Sequence, residues 1–363
     1  MLSTATRTLR DLGEREILNQ LIFPRFPAIA NQDGKTGDDC AVLPAPPPGQ
    51  LLVMTTDPCP TPVVCLLETP NFYHYGRMTV LINVSDLAAM GATPLGILIS
   101  TVMPEQMTVP SYEGFLEGVS DASVEWSCPV VGGNIKDGPF FSASGSALGC
   151  IPAECLLRRT GMGIGDHVCV VGEMGLFWAA CLARMFPGCV VDNAHDEILN
   201  HALYKPQAKI NEGKALAQSR LATACMDSSD GVGSCLNELA RANTLDIIIR
   251  SSAMRPHQAV ESVARAVDID ARKLMLSWGN WELVCTIPAR VVTKARKIIE
   301  SLGTAFCDIG EVQAGSGKVW LEEAERIELL TNFASERFSQ TSVFSHGLDS
   351  YYEYLRSQPL TIR

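Results

Sequence analysis

The N-terminal part of the chain alternates short apolar runs with one longer pattern of helical period. Leu51–Met54 is an apolar run followed by polar residues, a pattern that predicts a buried strand. From Thr79 to Met90 the apolar positions repeat at helical spacing, and Gly91 and Pro94 then end the predicted helix. Further strands are predicted over residues 95–103 and 140–151.

The pattern changes near residues 152–165, where Pro152 and the glycine-rich stretch Gly161–Asp166 interrupt the periodicity. Helices are then predicted over residues 176–186, 207–221, 233–243 and 290–302, and strands over residues 167–171, 245–249 and 283–287, with strand candidates up to residue 330. This alternation predicts a second α/β domain. We expect an N-terminal domain over residues 1–155, a C-terminal domain over residues 156–335 and a tail over residues 336–363.

Composition narrows the class of protein. The chain has 363 residues, of which 47% are apolar, enough for two domains with buried cores. A net charge of −11 without a long basic run argues against nucleic acid and anionic membrane as partners, since both bind clustered Lys and Arg. The N-terminus lacks the features of a signal peptide, and the most apolar long stretch, His167–Phe186, is broken by Glu173 and two glycines. We therefore expect a cytoplasmic protein.

Cysteine is unusually frequent, with 13 residues and no Cys-x-x-Cys pair. A zinc or iron–sulfur site would need tighter pairs. Buried, reduced thiols that serve as small apolar residues are the expected state.

Acidic residues stand in loops of small residues that are far apart in the sequence. Carboxylates at the ends of apolar segments can converge on Mg²⁺, which keeps several waters and usually carries phosphate oxygens. The pattern therefore predicts a site for nucleotide phosphates. The loops are Gly37–Ala41, Thr55–Asp57, Asn83–Asp86 and Asp227–Gly231.

Motifs for other phosphate and hydrolase chemistry are absent from the sequence. Gly315–Val319 is not a P-loop, because it lacks both the upstream glycine spacing and the hydroxyl residue. There is no protein-kinase His-Arg-Asp or Asp-Phe-Gly set, no Gly-x-Ser-x-Gly elbow and no His-Glu-x-x-His. Gly161–Gly165 precedes a predicted strand, whereas a dinucleotide fingerprint follows one.

The acidic residues also have structural interpretations. Asn83 and Asp86 share one face of an apolar helix, where a carboxylate is costly without a cation or hydrogen-bond donors. In the alternative interpretation Asp86 lies on a solvated helix surface, where it would need neither a cation nor hydrogen-bond donors. Asp227 and Asp230 could cap the helix predicted over residues 233–243, which is compatible with metal binding.

Taken in order along the chain, the acidic loops resemble those of thiamine-monophosphate kinases, and the stretch Asn83–Pro94 is the most specific piece. The resemblance covers residues 12–351 and continues through Gly132-Gly133, Arg159 with Gly165-Asp166, and Asp227–Gly231. This family is similar to aminoimidazole ribonucleotide synthetase, selenophosphate synthetase and the hydrogenase-maturation dehydratase. These are ATP-dependent enzymes that form or use phosphorylated intermediates.

The resemblance implies a two-domain PurM-like fold of the α/β (α+β) class. Its N-terminal domain would form a β-barrel with its copy in a homodimer, and its C-terminal mixed-sheet domain would close the ATP cleft. ATP and Mg²⁺ are the implied cofactors, and a small molecule is the implied substrate. The implied Mg²⁺ ligands are Asp39, Thr55, Thr56, Asp57, Asp86, Asp227 and Asp230, of which Asp39, Asp57, Asp86 and Asp227 are the catalytic set; the implied ATP contacts are Gly132, Gly133, Asn134, Arg159 and Ser229.

Three departures from the family pattern bear on the substrate. Asn134 stands where the family has an aspartate after Gly-Gly, so one carboxylate is replaced by a neutral amide. Pro58–Cys65 lacks the histidine that the family carries beyond Thr-Thr-Asp. The family's Gly-Gly-Glu-Asp-Tyr-Glu-Leu becomes Ser277–Leu283, in which Gly279 and Asn280 replace the substrate-side acids.

The altered segment introduces two tryptophans. Trp278 and Trp281 could hold a flat or aromatic substrate, with Asn280 supplying hydrogen bonds. Tyr351, in the tail, falls near a family position where an aromatic residue covers the substrate. The tryptophans could instead be core residues at the start of a strand.

We therefore expect a divergent paralogue, an ATP- and Mg²⁺-dependent kinase whose acceptor differs from thiamine monophosphate. Three alternatives stay open. The chain could be an authentic thiamine-monophosphate kinase. It could activate an amide or carboxylate oxygen with ATP, leading to cyclisation, amination or dehydration. It could also bind nucleotide without catalysis, as the carboxylate lost at Asn134 would allow.

Overall fold

The structure is a computed structural model in which the described residues are 7–27, 29, 40–43, 45–189, 192–331, 333 and 342–362. Contacts between residues divide the chain into two compact units. Unit 1 comprises residues 1–87 and 93–153, and unit 2 comprises residues 88–92 and 154–363. In the part of the chain that the structure describes, no helix has both the length and the apolarity needed to cross a bilayer.

Unit 1 is built on a four-stranded sheet. In chain order the elements are α1 (Leu9–Ile17), β1 (Gln50–Pro58), α2 (Val64–Leu67), α3 (Phe72–Ala89), β2 (Thr93–Met103), α4 (Val109–Glu125), β3 (Val130–Asp137) and β4 (Ser142–Pro152). The strand order is β1-β4-β2-β3. Strand β4 is antiparallel to β1 and β2, whereas β3 is parallel to β2, so β1 and β3 form the two edges.

Helix α3 is longer than predicted, because it begins at Phe72 and not near Thr79. Its central residues are buried whether apolar or polar, and Val80, Asn83 and Val84 have no exposed surface. A helix that is buried on several sides lacks the contrast between an apolar and a polar face from which helices are predicted. The sequence analysis nevertheless found this buried part of α3, and it missed the first turns, in which residues 72–75 are partly exposed.

Two glycines allow helices α3 and α4 to cross with their backbones in contact. A Cβ on Gly76 would lie 2.1 Å from the carbonyl oxygen of Phe115, and one on Gly118 would lie 2.0 Å from that of Tyr73. Because real Cβ atoms do not approach so closely, only glycine fits either position. This crossing fixes α3, which carries Asn83 and Asp86, within unit 1.

The strand predicted at Leu51–Met54 exists as part of β1, but the prediction that it is buried is wrong. Leu52 is 52% exposed and Met54 is 77% exposed. Met54 lines a groove of about 930 Å³ on one face of the sheet, together with the exposed side chains of Val42 and Leu98. Apolar residues in a strand indicate that the strand packs against another surface. They do not show whether that surface belongs to the same chain.

Unit 2 is built on an eight-stranded mixed sheet. In chain order the elements are β5 (Asp166–Val171), α5 (Leu176–Met185), α6 (Asn193–Tyr204), α7 (Ile210–Ser219), β6 (Ala224–Asp227), α8 (Val232–Asn243), β7 (Leu245–Arg250), α9 (Gln258–Ala266), α10 (Ala271–Leu276), β8 (Leu283–Pro288), α11 (Val292–Glu300), β9 (Phe306–Ala314), β10 (Val319–Glu323), β11 (Arg326–Leu330), α12 (Val343–His346), α13 (Leu348–Ser357) and β12 (Thr361–Ile362). The strand order is β12-β11-β10-β7-β9-β5-β8-β6. Only the β7–β10 pair is parallel among the neighbouring described strands.

Helices α5, α7, α8 and α11 and strands β5, β7 and β8 lie where the sequence predicts them. The start of α8 differs from one interpretation offered above. Its N-cap is Gly231, with a φ of 97°, and not Asp227 or Asp230. A glycine in that conformation allows the loop to turn sharply into the helix.

The register of the sheet places two predicted site segments side by side in unit 2. Asp227, the last residue of β6, pairs with Leu283, the first residue of β8. Because the two strands are antiparallel, the loop after β6 and the segment before β8 lie at the same end of the sheet. Beneath them, Val168, Leu236 and Val284 belong to the buried core of the unit.

Candidate active site

A polar cluster lies where strand β1 faces helix α3 in unit 1. Thr55 donates its hydroxyl hydrogen to Oδ2 of Asp86. The fully buried Asn83 accepts the backbone N–H of Asp57 through Oδ1 at 3.2 Å. Its Nδ2 donates to the carbonyl of Thr79 at 2.9 Å, which fixes the amide from both sides. Three of the predicted Mg²⁺ ligands, Thr55, Asp57 and Asp86, are thus brought to one side of β1.

Thr56 lies on the opposite side of the strand, because side chains alternate along β1. Its hydroxyl donates to the carbonyl of Gly145 at 2.9 Å and lies 2.9 Å from Oγ of Ser146. Ser146 and Asn134 both line the groove on this face. The two predicted threonine ligands are therefore divided between the two faces of the sheet.

The predicted ATP contact at Gly133 is a position that only glycine fits. A Cβ there would lie 1.9 Å from the carbonyl oxygen of Ile99 on the neighbouring strand. Gly133 shares a cross-strand row with Asp57, through Ile99 and Gly145. The two residues nevertheless stand on opposite edges, three strand spacings or about 14 Å apart. Within this sheet, the glycine pair is therefore not brought beside Asp57.

The loop Asp227–Gly231 in unit 2 is tightly held. Asp227 is 3% exposed and Ser228 has no exposed surface. The N–H of Ser228 donates to the carbonyl of Glu282 at 2.8 Å, and the N–H of Gly231 donates to the carbonyl of Ser228 at 2.8 Å. A Cβ on Gly231 would lie 2.9 Å from the backbone nitrogen of Trp278. The predicted Mg²⁺ loop thus rests directly on the predicted substrate segment.

Glu282 is a buried acid whose role the sequence did not reveal. Only 1% of the residue is exposed, and burial raises the pKa of its carboxyl from 4.5 to about 7. Ser228 donates its hydroxyl hydrogen to Oε2, whereas Oε1 has no partner among the described residues. Nearby Lys209 acts against the rise in the pKa. A Glu-Leu pair at a strand start is the only local signal, and it does not distinguish this acid from a solvated one.

Arg159, a predicted ATP contact, is exposed. Its charge and the charges of the acidic loop act on the same buried thiol, that of Cys235, one turn into α8. Burial raises the pKa of Cys235, and the charges of Asp227 and Asp230 raise it further. The charge of Arg159 lowers the pKa of the same thiol.

The glycine-rich loop Gly315–Lys318 does form an anion-binding nest, but the anion is a side chain of the same chain. Oδ1 of Asp246 accepts the backbone N–H groups of Ser316, Gly317 and Lys318 at 2.7, 3.0 and 2.9 Å. Oδ2 accepts from Nε1 of Trp320 at 2.8 Å. Because Asp246 occupies these three N–H groups, they do not cradle a phosphate, which agrees with the exclusion of this loop as a P-loop.

The oxygen donors of the two units fit Mg²⁺. Carboxylates and hydroxyls are the ligands that this ion takes, usually one or two carboxylates with waters and substrate phosphates. The described residues contain no group of three His, Cys, Asp or Glu side chains that could enclose an ion without other ligands. Asp39, also predicted as a ligand, lies outside the described residues.

Comparison with known proteins identifies the family. The family models for AIR synthase related protein match this chain, the N-terminal domain over residues 37–151 and the C-terminal domain over residues 163–322. Thiamine-monophosphate kinase of Pyrococcus abyssi is 30% identical over 256 residues, which cover 70% of this chain and 76% of the relative. That of Salmonella typhimurium is 31% identical over 288 residues, covering 77% and 83%. The chain belongs to the thiamine-monophosphate kinase family.

Solved structures agree with this membership. Thiamine-monophosphate kinase from Stenotrophomonas maltophilia K279a superposes with a TM-score of 0.69 at 27% identity, covering 79% of this chain and 89% of that one. The structure of AaThiL complexed with AMPPCP and TMP has a TM-score of 0.65 at 25% identity, covering 78% and 88%. The expected PurM-like fold, the ATP-dependent kinase class, and ATP with Mg²⁺ as cofactors are confirmed. The dimeric barrel and the individual site residues stay predictions.

The predicted substrate residues are mostly buried. Trp278 is 8% exposed and Trp281 is 5% exposed. Tyr351, 4% exposed, packs against Trp178 with ring centroids 4.3 Å apart and against Trp278 at 6.0 Å. Phe177 lies 6.0 Å from Trp278 in the same cluster. This packing favours a core role for the indoles over an open stacking surface.

Asn280 differs from the tryptophans, because it reaches a pocket. Its Oδ1 accepts the backbone N–H of Phe177 at 2.9 Å, near the start of α5. Its Nδ2 is buried and has no partner among the described residues. Asn280 lines a pocket of about 220 Å³ with Glu173, Lys205 and Lys209. Of the predicted substrate residues, Asn280 is therefore the one placed to contact a ligand.

Proposed function

We propose that this member of the family transfers the γ-phosphate of ATP to a small molecule other than thiamine monophosphate. The observation that carries the proposal is the chemistry of Gly279–Glu282. Gly279 has no side chain, and Asn280 is neutral and engaged with Phe177. The remaining acid, Glu282, is buried and bonded to Ser228. No carboxylate of this segment faces an acceptor, although the family pattern has two there.

The segment beyond Thr55–Asp57 supports the same proposal. The family carries a histidine in this stretch, whereas Pro58–Cys65 has none. Val63, Val64 and Cys65 are all buried, so this segment packs into unit 1 and supplies no polar group of the kind that the family uses. Loss of buried polar partners for one substrate costs far more affinity than loss of apolar contacts. Thiamine monophosphate, the TMP bound to AaThiL, would therefore be a poor acceptor here.

The roles of the remaining site residues follow from their chemistry. In unit 1, Asp57, Asp86 and Thr55 would hold Mg²⁺, and the hydrogen bond from Thr55 fixes one oxygen of Asp86. In unit 2, Asp227 and Asp230 would do so. When bound, Mg²⁺ neutralises charge on the phosphate oxygens.

ATP contacts would come from backbone and side-chain donors. Gly133, which has no side chain, allows close approach of a phosphate to the backbone of β3. Arg159 supplies a positive charge and Ser229 a hydroxyl. Asn134 replaces a family carboxylate with a neutral amide, so fewer ions would be held there. Asp39 belongs to the predicted ligands but lies outside the described residues.

We also propose that the chain is a cytoplasmic homodimer, joined through the groove face of the four-stranded sheet. Val42, Met54 and Leu98 are 87%, 77% and 42% exposed on that face. Monomeric proteins seldom leave so many neighbouring apolar side chains in water. Sedimentation at micromolar concentration should give twice the chain mass, and Met54→Glu should reduce it to the mass of one chain.

The kinase proposal is tested by offering acceptors with Mg²⁺ and ATP and following products by ³¹P NMR. A new phosphate ester or diphosphate, formed together with ADP, supports it. Inorganic phosphate released with ADP and a dehydrated or aminated product would favour activation of an amide or carboxylate oxygen. ATP binding without turnover of any acceptor would favour a nucleotide-binding role. Efficient phosphorylation of thiamine monophosphate would contradict the altered acceptor.

A further inference from the structure

Asn243, the last residue of helix α8, uses its whole amide group to hold a distant segment of the chain. Its Oδ1 accepts the backbone N–H of Gly161 at 2.8 Å and that of Met162 at 3.2 Å. Its Nδ2 donates to the carbonyl of Arg159 at 2.9 Å and to the carbonyl of Leu239 at 2.8 Å. An asparagine side chain can make about four hydrogen bonds, so none of its capacity is left over.

The bonds from Asn243 are centred on the backbone around Arg159. On the other side, the N–H of Cys225 donates to the carbonyl of Arg158 at 2.8 Å. Gly161 is packed so closely that a Cβ would lie 2.4 Å from the carbonyl oxygen of Thr223. The backbone on both sides of Arg159 is therefore fixed, while the side chain of Arg159 is exposed.

The first turn of α8 is fastened to the acidic loop. The N–H of Cys235 donates to the carbonyl of Gly231 at 3.0 Å. The thiol of Cys235 donates to the carbonyl of Asp227 at 3.0 Å. One helix thus holds the acidic loop at its start and the Arg159 segment at its end, and this fixes the two relative to each other.

We infer that Asn243 is a positioning residue for ATP, which acts by holding the backbone of Arg159 where the guanidinium meets the phosphates. The inference rests on the proposed role of Arg159 as an ATP contact. A group that is held in its binding position before the ligand arrives loses less entropy on binding. Without Asn243, the Arg159 segment would have to be ordered by ATP itself, and the affinity for ATP would fall.

The test compares Asn243→Ala with Asn237→Ala, a matched control on the same helix. Asn237 is also partly buried, and its amide donates to the backbone carbonyl of Gly233 in its own helix at 2.9 Å. Calorimetry of Mg²⁺-ATP should show binding about 10-fold weaker for Asn243→Ala, roughly the effect of one or two lost hydrogen bonds. Turnover at saturating ATP should change less than about twofold, because a loss of affinity raises the KM for ATP and leaves kcat unchanged. Asn237→Ala should bind ATP as the unmodified chain does.

The decisive arm repeats Asn243→Ala in an Arg159→Ala background. If Asn243 acts through Arg159, the second substitution adds no further loss of ATP affinity. A further 10-fold loss in that background would overturn the inference, as would equal losses in Asn243→Ala and Asn237→Ala. If Arg159→Ala weakens ATP binding and Asn243→Ala does not, the positioning role of Asn243 is contradicted while the proposed ATP contact by Arg159 is retained. If Arg159→Ala itself leaves ATP binding unchanged, the role of Arg159 in the proposed function fails and this inference with it.

A second variant, Asn243→Asp, keeps the inference testable if Asn243→Ala does not fold. Asn243→Asp keeps the acceptor for Gly161 and Met162 but loses the donor to the carbonyl of Arg159. Its affinity for ATP should lie between those of the unmodified chain and Asn243→Ala. Affinity equal to that of the unmodified chain would overturn the inference, because the bond to Arg159 would then contribute nothing.

Discussion

Ser228 and Glu282 are joined by three hydrogen bonds, two of which involve the serine hydroxyl. The N–H of Ser228 donates to the carbonyl of Glu282 at 2.8 Å, and the N–H of Glu282 donates to Oγ of Ser228 at 2.8 Å. The hydroxyl of Ser228 in turn donates to Oε2 of Glu282. This connection fastens the acidic loop that follows β6 to the segment that begins β8. A change in the proposed substrate segment should therefore also alter the loop that is proposed to hold Mg²⁺.

Glu282 should make the stability of the chain depend on pH. Burial raises the pKa of this carboxyl from 4.5 to about 7, so the folded chain holds the proton more tightly than the unfolded chain. The free energy of unfolding should fall by about 3 kcal/mol in total as pH rises from 4.5 to 7. Over this range the carboxyl is ionised in the unfolded chain but keeps its proton in the folded chain, so rising pH favours unfolding. Glu282→Gln removes this titration. Urea unfolding in EDTA should show the variant gaining about 2 to 3 kcal/mol on the unmodified chain between pH 5 and pH 8.

The exposed Glu325, in the turn between β10 and β11, provides the control for that experiment. Glu325→Gln should follow the unmodified chain at every pH. A Glu282→Gln variant whose stability runs parallel to that of the unmodified chain from pH 5 to pH 8 would show that the carboxyl is not held in its neutral form.

Gly231 should tolerate alanine far less well than another glycine of similar backbone conformation. Gly231 has a φ of 97°, and a Cβ there would lie 2.9 Å from the backbone nitrogen of Trp278 and 3.0 Å from the carbonyl oxygen of Leu276. Gly303 has a φ of 79° with open space around it. Gly303→Ala should cost about 1 kcal/mol of backbone strain, and Gly231→Ala roughly 2 kcal/mol more from overpacking. Equal losses in the two variants, measured by urea unfolding, would show that the acidic loop does not rest on Trp278.

Thr55 should contribute to Mg²⁺ affinity through Asp86. Thr55→Val keeps the shape of the side chain but removes the hydroxyl that donates to Oδ2 of Asp86. Groups that orient a metal ligand typically contribute 10–100-fold to affinity or activity, so we expect about a 10-fold rise in the Mg²⁺ concentration needed for half-maximal turnover. Asp86→Asn should raise it further. Half-maximal Mg²⁺ that is unchanged in both variants would exclude this pair from the metal site.

Several features of the site lie beyond what local sequence can reveal. The acidic loops and the order of the elements are visible because each depends on residues close together in the chain. Ser228 and Glu282 are 54 positions apart, and Asn243 and Arg159 are 84 positions apart. Both contacts arise only once the sheet and α8 have been assembled. An asparagine at the end of a helix looks like any polar residue until its partners are known.

Burial was harder to predict than secondary structure. The strand at Leu51–Met54 was found, but its side chains are exposed, since apolar character does not show which surface covers a strand. In α3 the buried residues Asn83 and Ser85 lie in the part that was predicted, whereas the start of the helix at Phe72 was missed. The tryptophans at 278 and 281 could be read either way from the sequence, and their packing with Phe177 and Tyr351 favours the core.

Cysteine reactivity should follow exposure. Of the 13 cysteines, Cys40 is the exposed one, and none is paired in a disulfide. Burial raises the pKa of Cys128 and Cys285 to about 12, which disfavours the reactive thiolate. Because Cys40 lines the groove of the proposed dimer, the test uses the monomeric Met54→Glu variant. Ellman's reagent should modify one of its thiols rapidly, and Cys40→Ser in that background should abolish the fast phase. A fast phase that persists in this variant would show that another thiol is open to solvent.

The claim that the acceptor has changed is tested most directly by the rate at which thiamine diphosphate forms from thiamine monophosphate. The chain and its Salmonella typhimurium relative should be assayed side by side with saturating Mg²⁺ and ATP. Loss of buried polar partners for a substrate typically lowers kcat/KM by a factor of 100 or more, so we predict at least a ~100-fold lower kcat/KM for this chain while its ATP binding is retained. A kcat/KM within about tenfold of that of the relative would contradict the account and make thiamine monophosphate the acceptor.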